Sequence, residues 1–107
     1  AVYTEITTER ESYMNKAVKI GEVFKLASLV PYQEGKIVNM DVVHNDKMKF
    51  VIMAFDAGTG LSEHAAPGEE GVMHKVKAGE CFSFAKGGKH FVKATGRFKM
   101  ALLLTLE

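Results

Sequence analysis

At 107 residues the chain is long enough for one domain with a real core and too short for two. Its 47% hydrophobic and 25% charged residues are those of an ordinary soluble globule. The 14 basic and 13 acidic residues are interspersed and leave a net charge of +1, which excludes a nucleic-acid footprint, and no apolar run is long enough to span a bilayer. Cys81 is the single cysteine, so an intrachain disulfide is excluded and a reducing, cytoplasmic setting is expected.

Residues 1–14 read as an N-terminal extension, because Ala1 to Tyr13 are polar and poorly periodic. Val2, Tyr3, Thr4, Ile6, Thr7 and Thr8 suit a strand, so the same stretch could act as an arm that pairs with a neighbour. Residues 15–107 read as a single domain. Val23, Leu26, Ala27 and Val30 have helical spacing and Pro31 ends the pattern, which predicts a short helix over 22–30. From Lys36 to His44, Val38, Met40, Val42 and His44 alternate with Asn39 and Asp41, the signature of a strand. Asn45-Asp46-Lys47 is a turn, and Met48 to Phe55 returns as a nearly continuous apolar strand, completing a hairpin.

The Gly-rich stretch Asp56 to Glu70 follows, presenting His64, a Pro67-Gly68 corner and the carboxylates of Glu69 and Glu70. Val72 to Lys77 and Cys81 to Ala85 flank a turn at Ala78-Gly79-Glu80. Lys86 to Lys89 form another Gly corner, and a strand from His90 to Ala94 comes next. Phe98 to Leu106 closes the domain as a long apolar strand after the turn Ala94-Thr95-Gly96-Arg97. Short strands at this spacing, punctuated by glycines, predict an all-β sandwich or barrel over about 35–106.

Two Gly and His patterns occur in order within that framework. Gly58, His64 and Glu70 follow the spacing G-x5-H-x-H-x3-4-E-x6-G, with Ala66 at the second His and Lys77 at the closing Gly. Gly79, Gly87 and His90 follow G-x5-P-x-G-x2-H-x3-N, with Ala85 at the Pro and Ala94 at the Asn. With both motifs in order, the chain resembles the small single-domain cupins. The resemblance implies a jelly-roll type β-barrel, commonly paired into a homodimer, with a divalent metal on its inner face. It carries over His64, Glu70 and His90 as ligands. Only eight residues separate Glu70 from Gly79, too few for the two-strand hairpin that the family places there.

Two imidazoles and a carboxylate suit Fe, Mn, Ni, Zn or Cu and leave coordination positions open for substrate or oxygen. Hydrogen-bonded barrel histidines without a metal are the plainer alternative. His44 is a candidate for a further ligand if its strand face points inward, although its place beside a turn favours a surface position. His74 and Cys81 read as structural or inert. Phe50, Ile52, Phe82, Phe84 and Met100 are candidate pocket residues, with core packing the competing role. The sequence therefore supports a metal-assisted enzyme, a metal-free small-molecule binding module, or a dimeric structural protein, with neither nucleic acid nor membrane as partner.

Overall fold

Two apolar strands joined by an asparagine turn are the centre of the structure, a computed structural model that describes residues 14–62, 74–83 and 91–106. Strand β1 is Ile37–His44 and strand β2 is Met48–Phe55, antiparallel and nearly as the sequence predicts. The Asn45 side chain makes the turn by accepting from the backbone N–H groups of Lys47 and Met48, at 2.9 and 3.0 Å. An Asx turn of this kind needs only local sequence. The remaining strands are β3 (Gly60–Ser62), β4 (Phe91–Lys93) and β5 (Phe98–Thr105).

The chain folds as two compact units, one made of Ala1–Thr59 and Ala94–Glu107, the other of Gly60–Lys93. The first unit holds an antiparallel sheet in the order β1-β2-β5. Strand β2 lies at its centre and is apolar on both faces from Phe50 onward, which explains its nearly continuous apolar run. On one face Ile52 and Ala54 pack with Val42, Val18 and Val30, and Phe50, Val38, Met40, Leu26 and Leu29 close around them. On the other face Val51, Met53 and Phe55 are buried. The Phe55 ring stacks on Phe98, its register partner in β5, at 4.6 Å between centroids and 3° between planes. Such side chains contribute about 1.5–3 kcal/mol each when fully buried.

Strand β1 carries an irregularity that the alternating pattern does not reveal. Asp41 pairs with Val51 and Val43 pairs with Phe50, so Val42 is an extra residue opposite no partner. Val42 and Val43 both pack on the core side, as a bulge allows. Alternation is thereby inverted beyond it, and His44 falls on the face of Asp41 rather than that of Val42. Met14 and Asn15 lie along this part of β1: Met14 bridges Val43, and Asn15 donates its backbone N–H to the Val42 carbonyl at 2.9 Å and its side-chain N–H to the Asp41 carbonyl at 3.0 Å.

Several elements differ from expectation. Only Leu26–Leu29 of the helix predicted over 22–30 is helical, as a single 3-10 turn whose entry residue Lys25 supplies no side-chain cap. The three-residue repeat of that turn puts Leu26 and Leu29 on one side, and a single uncapped turn needs no longer helix to bury them. Strand β5 is half-buried rather than largely buried, with Leu103 58% exposed, because it lies at the outside of the sheet order. In the second unit β3 pairs with β4, so part of the stretch read as a glycine turn is strand. Residues 74–77 and 81–83 form no strand, while Lys77 to Glu80 make the expected turn, closed by a 2.9 Å backbone hydrogen bond. Among the described residues both sheets are open. The N-terminal arm over residues 1–13 lies outside the described residues.

Candidate functional site

Of the residues singled out by sequence, His64, Glu70, His90 and Phe84 lie outside the described residues. The strands that lead to the two histidines are described. Ser62, two residues before His64, is the register partner of Phe91, the residue after His90. Gly60 lies opposite Lys93 in the same pair, and a Cβ at Gly60 would stand 2.7 Å from the Val92 carbonyl oxygen. Only glycine admits that approach of the two backbones. Gly58, the first glycine of the motif, has φ +81° and donates its N–H to the Ala94 carbonyl at 2.9 Å. Its role is turn geometry.

His44 is exposed at the end of β1, its Nδ1 3.6 Å from Asp41 Oδ2. Lys49 Nζ is 4.0 Å from Asp41 Oδ1, giving an exposed cluster of two cationic or titratable groups around one carboxylate. Exposed pairs of this sort contribute little to stability. The bulge at Val42 is the reason that His44 turns to this side.

Of the candidate pocket residues, those in the first unit lie on two different faces of its sheet. Phe50 and Ile52 belong to the core beneath Leu26 and Leu29. Met100 pairs with Met53 and therefore lies on the opposite face of the sheet. Phe82 is 50% exposed in the second unit, its ring 4.6 Å from that of His74. It contributes to a shallow depression of about 170 Å³ with His74, Lys75, Val76, Glu80 and Cys81. Glu80 Oε1 accepts from the Lys77 backbone N–H at 2.7 Å, and Cys81 is exposed. Among the described residues no three His, Cys, Asp or Glu side chains converge as a metal site.

The most developed polar constellation is one that sequence reading missed. Asp56 directly follows β2 and is buried. Its Oδ2 accepts from the Gly35 N–H at 2.6 Å and its Oδ1 from Arg97 Nε at 2.7 Å. The Asp56 carbonyl also accepts from the Thr59 hydroxyl at 2.7 Å. The Gly35 N–H and the Arg97 guanidinium hold the Asp56 carboxyl below its usual range, with burial opposing them. The same pair keeps Arg97 protonated more firmly than a free guanidinium. Arg97 lies 5.3 Å from the Tyr32 ring centroid and Lys99 Nζ 4.9 Å from it, and Lys99 donates to the Ala27 carbonyl at 2.5 Å. Both carboxylate oxygens of Asp56 have partners within the fold, so this is a structural corner. An aspartate at the end of an apolar run was the available signal, but its partners are distant in sequence.

No family model, curated protein or solved structure matches this chain.

Proposed function

We propose that the chain is a cupin-type β-barrel module that holds a divalent metal through His64, Glu70 and His90. The supporting observation is the ordered spacing of Gly58, His64, Glu70, Gly79, Gly87 and His90, joined to the pairing of Ser62 with Phe91. That pairing leads the two histidine-bearing segments away from one end of a single strand pair. The donor set fits the ion: two neutral imidazoles and a carboxylate match Fe, Mn, Ni, Zn or Cu. When bound, such an ion polarises a substrate oxygen or lowers the pKa of a water. The chain's own residues would then supply the ligands.

A metal-free binding module is the second reading, favoured by Ala66 and Ala94 in place of the motif's polar residues. Ala94 is 1% exposed, with its carbonyl accepting from the Gly58 N–H and its N–H donating to the Thr59 carbonyl, a buried apolar position. Homodimerisation belongs to either reading, supported by the outer position of β5 and the exposure of Leu103.

Elemental mass spectrometry on protein purified without chelator or metal-affinity resin separates the two. The metal reading expects close to one ion per chain and at least a tenfold loss in the H64A/H90A variant. Metal content unchanged by that variant, or none retained after incubation with each ion, transfers the proposal to the metal-free module.

A further inference from the structure

The segment Lys16 to Lys25 exposes apolar side chains where a short loop between two anchors has no structural need of them. Val18 is buried at one end, and Leu26, Leu29 and Val30 pack into the same core at the other. Between them the chain turns at Gly21, with the Glu22 N–H donating to the Lys19 carbonyl at 3.3 Å. Ile20 is 44% exposed, Phe24 47% and Val23 103%, so among the described residues none shields Val23. Lys16, Lys19 and Lys25, all exposed, flank this tip, and Glu22 is the only acid in the segment.

We propose that this loop docks the protein on an anionic lipid surface. Ile20, Val23 and Phe24 would enter the headgroup region while the three lysines meet lipid phosphates and carboxylates. The charge composition favours a membrane over a protein partner. Lysine is depleted from protein interfaces, whereas a lysine rim around apolar side chains is what an anionic bilayer surface attracts. A projecting tip also suits a deformable interface better than a fixed groove. Docking of this kind needs no spanning segment, and among the described residues no helix is long and apolar enough to cross a membrane.

The test is co-sedimentation of the full chain with vesicles of 70% phosphatidylcholine and 30% phosphatidylserine, against phosphatidylcholine alone, in low and high salt (percentages nominal, about those of an anionic leaflet). Binding is expected only to the anionic vesicles and weakened by salt. V23S/F24S should reduce the partition coefficient by about tenfold or more, and each of K16Q, K19Q and K25Q by about fivefold. These side chains are exposed, and an unchanged thermal transition establishes that the variants fold. No binding by the parent chain, equal binding to neutral vesicles, or binding indifferent to V23S/F24S would each overturn the proposal. So would a dimer in solution that V23S/F24S dissolves without changing vesicle binding.

Discussion

The two ends of β2 solve one problem by different means. At the start of the strand, Asn45 satisfies backbone N–H groups two and three residues ahead. At its finish, Asp56 satisfies a backbone N–H 21 residues back and a guanidinium 41 residues ahead. The first device fixes a turn and little else. The second joins three separate parts of the chain around a buried carboxylate, so its loss is felt by all of them. Removing one partner of a buried charged group leaves the other without compensation, a larger penalty than opening an exposed turn.

Phe55→Ala tests the far end most severely. It removes a fully buried ring stacked on Phe98 and should destabilise the fold by about 3–5 kcal/mol, read from urea denaturation. A loss close to that of an exposed substitution would mean that the far end is not the better anchored one. Asp56→Asn comes next, and pH sharpens it. Because the folded carboxyl is held below its ordinary value of 3.8, the stability it contributes is complete above that value and declines as pH falls through the lowered one. The parent chain should therefore exceed D56N in denaturation midpoint at neutral pH, and the gap should close at acid pH. Parallel pH curves would show that the ion pair with Arg97 contributes nothing. Asn45→Ala should have the smallest effect, about 1 kcal/mol, with no pH dependence in the same range. An effect as large as that of Phe55→Ala would erase the contrast between the ends.

The same contrast explains what could be read from sequence. The hairpin from β1 to β2 was legible because apolar alternation, the Asn-Asp-Lys turn and the return strand are all local. Strand β5 was legible as a strand, but not its outer place or its register, so Met100 could not be assigned to the face opposite Ile52. The bulge at Val42 leaves no mark on the pattern, and one extra residue is enough to turn His44 away from the core side. The helix was overread because Val23 completes the helical spacing, yet Val23 is exposed and only Leu26, Leu29 and Val30 pack into the core. Strand β3 was hidden by the glycine at its start, and Gly60 is explained only by the carbonyl of Val92. Arg97 could not be matched to Asp56 for the same reason of distance. For His64, Glu70 and His90 the motif spacing is what the sequence offers, and the described strands end two residues before His64 and begin one residue after His90.

The hydrogen bonds between Gly58 and Ala94 and between Ala94 and Thr59 also bear on the order in which the molecule assembles. Strands β2 and β5 are distant along the chain, and closing so long a loop directly is entropically slow. Once β3 has zipped against β4, however, the two chain crossings already lie side by side, and β5 need only continue along β2. A loop shortened roughly fivefold in this way lowers the closure cost by about 1.4 kcal/mol. The short inner pair can therefore act as a clasp that converts a remote strand pairing into an almost local one, and Gly60, at the tightest point of that clasp, would govern the rate of folding more than its small side chain suggests.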